Sequence, residues 1–121
     1  MTSEGLPDCV AALFEASNRR DTAGIMAVMT LDCIFENTNP PPDGERLSGH
    51  QAVRDFWERL FASTPQVRFD IEDAHFCGDR GFVSWRYAWV DAHGQRGHVR
   101  GVDVLRLRGN QISEKRSYVK G

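Results

Sequence analysis

The side chain best placed to do chemistry in this sequence is Asp103. It sits in the run Val99–Leu107, where residues two apart share one face of a strand, and the companions on its row are Val99, Gly101, Leu105 and Leu107. A carboxylate in an otherwise core-facing row is costly to bury, so it requires a partner, a proton or a function. Walled by Leu105, Trp57 and Trp85, it would be suited to general acid/base work. Desolvation there favours the neutral acid, and a nearby cation favours the carboxylate. The candidate cation is Lys115, on the strand that follows. Uninterrupted alternation from Ile112 turns Glu114, Arg116 and Tyr118 inward, whereas one extra residue after Ile112, a β-bulge, turns Lys115, Ser117 and Val119 inward instead. Periodicity leaves both registers open. Asn37, at the end of an early strand, is the third candidate; its amide can orient a substrate or a water but takes no proton.

Other reactive types are scattered. The four histidines, His50, His75, His93 and His98, show no H-E-x-x-H spacing, and the three cysteines form no C-x-x-C, so neither a metal nor a cofactor is expected. Cys9, Cys33 and Cys77 read as reduced, buried thiols of a cytoplasmic protein. His75 lies two residues before Cys77, which is too little to mark a catalytic thiol. A net charge of −2 with dispersed Lys and Arg lacks the basic footprint of a nucleic-acid binder. No run approaches the roughly 18 apolar residues of a membrane span, and the polar, acidic start MTSEGLPD does not read as an export signal. The 121 residues, 40% hydrophobic and 26% charged, suffice for one domain with a core around a small pocket.

The elements that must position these groups are legible from periodicity. A helix is expected from about Pro7 to Arg20, with Pro7 at its first position and Val10, Leu13, Phe14 and Ser17 as its inward stripe. Asp21 or Thr22 caps a short second helix carrying Ile25, Val28 and Met29. A strand over Cys33–Asn37 places Cys33, Phe35 and Asn37 on one side, before a proline-rich loop through Gly44. Ser48 with Gln51 matches a capping box and opens a helix with Val53, Phe56, Trp57, Leu60 and Phe61 on one broad face. The rest alternates as sheet: Val67, Phe69 and Ile71, then Val83, Trp85, Tyr87 and Trp89 on one face. Turns are read at Cys77–Gly81, at His93-Gly94 and at Gly109-Asn110. Helices first, then a four-stranded antiparallel run, is the α+β pattern with helices covering one face of a curved sheet.

With these pieces in order, the chain resembles the nuclear transport factor 2-like superfamily, and within it the SnoaL-like and ketosteroid-isomerase-like small proteins. The resemblance runs over nearly the whole length. It rests on the break at Arg20-Asp21-Thr22, the strand CIFEN with its proline-rich loop, Gly49-His50-Gln51-Ala52-Val53 leading into Phe56-Trp57, and the closing GVDVLRLRGNQI with Tyr118 after it. It implies a cone, a strongly bent, mostly antiparallel sheet wrapped around three helices, with a central apolar pocket in a single domain over residues 1–121. It also implies that Asp103 stands where ketosteroid isomerases carry the acid that hydrogen-bonds a developing enolate, a system long used to illustrate a carboxyl kept neutral by an apolar site. The isomerase's base falls at Asn37 and its helix tyrosine near Leu13 or Phe14, so steroid isomerisation by that mechanism is not expected. The resemblance favours the bulged last strand, which brings Lys115 toward Asp103.

Two readings of function follow. In the first, the pocket binds a small hydrophobic molecule and performs cofactor-free acid/base chemistry of the isomerase, cyclase or hydrolase type. Asp103 is then the acid/base, Asn37 and Lys115 orient the substrate, and Trp57, Trp85, Tyr87, Phe14, Phe35 and Ser117 line the pocket. In the second, the same fold binds a ligand or serves as a scaffold without catalysis. Arg100, Arg106 and Arg108 lie on the outer face with Val102 and Val104 among them, a pattern that, with the family habit, points to a homodimer through that face. No nucleic-acid or membrane partner is expected.

Overall fold

A computed structural model describes residues 5–121 of the chain, so part of the polar start, residues 1–4, lies outside the described residues. Three helices, α1 (Asp8–Asn18), α2 (Thr22–Ala27) and α3 (His50–Ser63), alternate with and precede six strands. The strands are β1 (Met29–Glu36), β2 (Arg46–Ser48), β3 (Gln66–Cys77), β4 (Arg80–Val90), β5 (Arg96–Arg108) and β6 (Gln111–Val119). They form one sheet in the order β2-β1-β6-β5-β4-β3. β1 runs parallel to β6 and every other neighbouring pair is antiparallel. The sheet curls without closing around the helices, which is the cone expected of the α+β pattern. Val10, Leu13, Ile25, Val53, Val83 and Ile112 are among the side chains fully sealed between the layers.

Local chemistry explains how the helices are tied down. Pro7 is the N-cap rather than the first helical residue, and its carbonyl accepts from the N–H groups of Val10 and Ala11. At the other end of α1, Asn18 behaves like an extra strand residue: its amide donates to the Phe69 carbonyl (3.0 Å) and its oxygen accepts from the Phe69 N–H (2.7 Å). This covers part of the outer edge strand β3. Arg20 adopts a left-handed backbone (φ 58°). Its guanidinium donates to the carbonyls of Phe61 and Pro65, closing the C-terminal end of α3, and lies over the Phe61 ring. The Asp21 carboxylate caps α2 by accepting from the Gly24 N–H at 3.0 Å.

Three further expectations are corrected. The capping box at Ser48 does not form, because Ser48 is the last residue of β2, held extended opposite Ile34. Gly49 is the N-cap instead; its N–H goes to the Cys33 carbonyl, and the Gln51 amide goes to Asp55. Tertiary pairing there overrides a local capping preference. The first strand begins at Met29 rather than Cys33, with an irregular register against β6 between Met29 and Ile34, so Met29 leaves the second helix. Cys77 is exposed, unlike the buried Cys9 and Cys33, because it ends β3 on the outward row at the hairpin tip.

The last strand settles the question of parity. Arg106 pairs with Glu114 but Leu107 pairs with Ile112, so Ser113 is an extra residue, a β-bulge. Ile112 and Ser113 are both buried, and the Ser113 hydroxyl donates to the Arg106 carbonyl at 3.2 Å. From there Lys115 and Ser117 turn inward, while Arg116 and Tyr118 are exposed.

Aromatic rings shape the inner face of the sheet by lying over glycines. Trp85 sits opposite Gly101, Trp89 opposite Gly97 and Phe76 opposite Gly81. A Cβ at any of these glycines would collide with the facing ring, so glycine lets each ring lie across the neighbouring strand.

Candidate functional site

The bulge brings the charged centre together. Asp103 on β5 faces Ser117 on β6, and the Ser117 hydroxyl donates to Asp103 Oδ1 at 2.6 Å. Lys115 Nζ donates to Ser117 Oγ at 3.1 Å and stands 3.4 Å from Asp103 Oδ2. The three groups form a closed triangle, with Asp103 2% and Lys115 7% exposed. The ammonium also lies 4.1 Å from the centre of the Phe35 ring and 5.7 Å from that of Trp57, so ring faces replace part of its lost hydration. Phe35 and Trp57 are themselves stacked nearly parallel, 7° apart at 6.2 Å. The charge beside Asp103 is that of Lys115, the alternative that the bulged register offers, and it is held by one carboxylate, one hydroxyl and two aromatic faces.

This triangle forms the polar end of a mostly apolar cavity of about 180 Å³. Phe14 comes from α1, Phe35 and Asn37 from β1 and its end, Trp57 from α3, Trp85 and Tyr87 from β4, and Asp103, Lys115 and Ser117 from β5 and β6. All of these line it. Residues that sequence reading left out of the lining include Ser17, Leu60, Phe69 and Val99. All four carried a signal: Ser17 was a hydroxyl on an apolar helix stripe, Leu60 shared the apolar face of Trp57, Phe69 alternated with Val67 and Ile71, and Val99 shared the row of Asp103. Phe69 stacks on Tyr87 with ring centres 4.4 Å apart, and Tyr87 on Trp89 at 5.2 Å, giving the β4 wall a continuous aromatic surface.

Asn37 is in the lining but is largely occupied. Its oxygen accepts from the Glu45 N–H at 2.7 Å, its amide donates to the Glu45 carboxylate at 3.2 Å, and its backbone N–H donates to the Glu45 carbonyl. Gly44, in the left-handed region at φ 72°, crosses so close to the Asn37 carbonyl that no side chain would fit. Asn37 thus anchors the loop over residues 38–45, of which Thr38 and Asn39 border the cavity, and retains one N–H for a ligand.

Electrostatics separate the inert groups from the usable ones. Burial pushes the Cys9 and Cys33 thiols up, which keeps them protonated and unreactive. Burial pushes the Tyr87 phenol up to about 12, so it is a neutral O–H at physiological pH. Among the described residues, no group of His, Cys, Asp or Glu side chains is clustered to hold a metal ion. His98 and Arg100, like Arg106 and Arg108, are exposed on the outward rows, with Arg100 paired to Glu72 and Arg108 to Asp32. No helix among the described residues is long and apolar enough to cross a membrane.

A curled α+β sheet that holds three helices and opens on an apolar pocket is the architecture of the nuclear transport factor 2-like proteins. The chain belongs to the SnoaL-like domain family, whose model matches residues 10–115. Its structure is similar to that of a nuclear transport factor 2-like protein of unknown function from Mesorhizobium loti. The two share 35% identity over 98% of this chain and 93% of that one, with a TM-score of 0.79. A protein with a ketosteroid isomerase-like fold from Catenulispora acidiphila, solved in complex with trimethylamine, matches at 19% identity over 93% of this chain and 85% of that one, TM-score 0.83. A protein from Xanthomonas campestris pv. campestris provisionally described as a polyketide cyclase matches at 24% identity over 93% and 87%, TM-score 0.77. These last two likenesses are of fold. No curated protein sequence matches the chain significantly.

Proposed function

We propose that the chain, as one SnoaL-like domain, binds a small, flat, mostly apolar molecule bearing a carbonyl or hydroxyl group, and that Asp103 moves a proton on it. The observation that carries this reading is the Asp103–Ser117–Lys115 triangle at the wall of an apolar cavity. A purely structural ion pair has no need of a cavity beside it. In the reaction, a carboxylate oxygen of Asp103 takes the proton from the carbon next to the carbonyl, the electron pair of that C–H bond forms a C=C bond, and the π pair of the carbonyl moves onto its oxygen. A Lys115 N–H not used by Ser117 or Asp103 hydrogen-bonds that oxygen as its negative charge grows. Reprotonation at the same or a neighbouring carbon returns Asp103 to its starting state.

Size narrows the ligand. An engineered apolar cavity of about 150 Å³ holds benzene, so about 180 Å³ suits one ring with short substituents rather than a fused polycycle. That one neighbour of this fold was solved with trimethylamine is consistent with small occupants.

The second reading, binding without catalysis, draws on one specific observation. Asn37, which would orient a substrate, is largely committed to Glu45 and keeps one free N–H, leaving a single acid/base pair in the cavity. Deuterium exchange separates the two. With one-ring ketones in D₂O, the wild type should speed exchange of the protons beside the carbonyl, and Asp103→Asn should abolish that while still binding the ketone. Binding without exchange would leave only the second reading, and absence of any binding would remove both. We also place a homodimer contact on the outer face of the sheet, where Val104 and Tyr118 are 44% and 52% exposed.

A further inference from the structure

The chain builds its positive charge almost entirely from arginine. Of its 15 Lys and Arg residues, only Lys115 and Lys120 are lysines. Lys120 is exposed beside the last residue, whereas Lys115 is the only one of the cations that is buried among the described residues. A buried ion pair ordinarily favours arginine, whose fork matches a carboxylate and whose charge is not given up. Lysine is the cation that can release a proton and then presents a free electron pair on nitrogen. In a chain so biased toward arginine, the exception falls on the wall of the cavity.

The surroundings of the Lys115 nitrogen show what it faces. Asp103 and Ser117 hold it on one side, and the Phe35 and Trp57 rings lie beside it. All four, like Lys115 itself, line the apolar cavity. The Lys115 side chain keeps 9% of its exposure, so it is not sealed as Val83 and Ile112 are, each at 0%. Asp103 Oδ2, 3.4 Å from Nζ, is the acceptor at hand for a proton leaving the ammonium.

On the reading that the cavity admits a one-ring carbonyl compound, we infer that Lys115 is also a nucleophile, one that captures aldehydes there as a Schiff base. The ammonium first gives a proton to Asp103. The electron pair of the amine then forms a bond to the carbonyl carbon, and the π pair of the carbonyl moves onto its oxygen. Asp103 hands its proton to that oxygen, takes a second proton from nitrogen, and passes it to the new hydroxyl. The hydroxyl leaves as water while the nitrogen pair forms C=N. The product is a protonated imine, and Asp103 is again a carboxylate. Lys115 carries one positive charge before and after, so the reaction leaves no buried charge without its counter-ion. Apolar surroundings of this kind are what activate lysine amines for Schiff-base chemistry.

Benzaldehyde with sodium cyanoborohydride tests this, because reduction turns the imine into a stable benzylamine. Benzaldehyde also has no proton beside its carbonyl for Asp103 to remove, so labelling reports on Lys115 apart from the exchange reaction. Peptide mapping by mass spectrometry compares the two lysines within the folded wild type at neutral pH. Lys115 should be labelled faster than Lys120 by about tenfold or more despite its burial, and in concentrated urea the two should label alike. Asp103→Asn should slow Lys115 by about 100-fold and leave Lys120 unchanged; where that variant does not fold, the comparison within the wild type decides alone. Lys115 labelling that survives Asp103→Asn at full rate would overturn the proton transfer. Labelling of Lys115 no faster than Lys120, with NMR titration showing benzaldehyde in the cavity, would overturn the nucleophile and leave the pocket reading intact. If benzaldehyde neither binds nor labels Lys115, both readings are overturned.

Discussion

Removing the charge of Lys115 without removing its stem, by Lys115→Met, should destabilise the protein strongly, and removing Asp103 as well should restore most of the loss. At 3.4 Å and an effective dielectric constant of about 20, the attraction between the two charges is about 5 kcal/mol. Several kcal/mol of desolvation per ion oppose it. The pair as a whole is therefore close to neutral for stability, but each member alone is a buried charge without its counter-ion, which costs about 3–5 kcal/mol. Lys115→Met and Asp103→Leu should each lower the unfolding free energy by about that amount, a fall of roughly 10–20 °C in Tm for a domain of this size. The double variant should lie within about 1 kcal/mol of wild type or above it, since an apolar replacement of a buried pair is often neutral or stabilising. Urea denaturation read by linear extrapolation gives the cycle directly. Asp32–Arg108 is the control. Its closest contact, 2.8 Å, is shorter, yet both side chains are more than 60% exposed, so solvent screens the attraction and the same cycle should show little coupling. A double variant that loses the sum of the single losses would refute the reasoning, as would a coupling no larger than that of the control. A double variant that is stable yet fails to bind one-ring ketones would separate the functional role of the pair from its structural one.

Two further outcomes follow from the sheet. Gly101→Ala should cost at least about 1–3 kcal/mol by overpacking, because the added Cβ meets both the Tyr118 carbonyl and the six-membered ring of Trp85; urea midpoints give the loss, and near-ultraviolet circular dichroism should report displacement of the indole. Tyr87 should make stability fall at high pH: its phenol is raised in the folded state to about 12 from 10.0, so its contribution is whole below pH 10 and is lost as pH climbs from 10 toward 12. Tyr87→Phe should flatten that part of the Tm-against-pH profile, and coincident profiles for the two proteins would contradict the burial of the hydroxyl.

How much of this was legible depended on whether the information was periodic or required knowledge of contact. The row of Asp103, the aromatic face of α3 and the inward face of β4 follow from spacing alone, and the structure places them as read. The aromatic–glycine pairs were equally available, since Trp85/Gly101 and Trp89/Gly97 are both symmetric about His93, the turn already visible in the sequence. The Asn37–Glu45 anchor was not, because it joins the two ends of a proline-rich loop whose path no periodicity describes. The capping box at Ser48 misled for a related reason. Its residues fit the local motif, but β2 pairing claims Ser48 first, and several strand hydrogen bonds outweigh one cap.

The bulge at Ser113 is the point at which a physical count could have gone further than periodicity. Without it, the register set by Leu107 and Ile112 would place Arg116 against Asp103 and Glu114 against Leu105, and would turn Tyr118 inward too. That arrangement buries an extra carboxylate and the largest cationic side chain in a cavity built for apolar contacts, with each charge penalised for leaving water. The bulged register buries one lysine and one serine, which together satisfy Asp103, and leaves Arg116 to pair with both Glu114 and Glu36. The carbonyl of Arg106, at the break in the ladder, is taken up by the Ser113 hydroxyl. One inserted residue therefore decides which cation Asp103 meets and whether room for a ligand remains beside it. Deleting Ser113 would remove the candidate site without touching any of its residues.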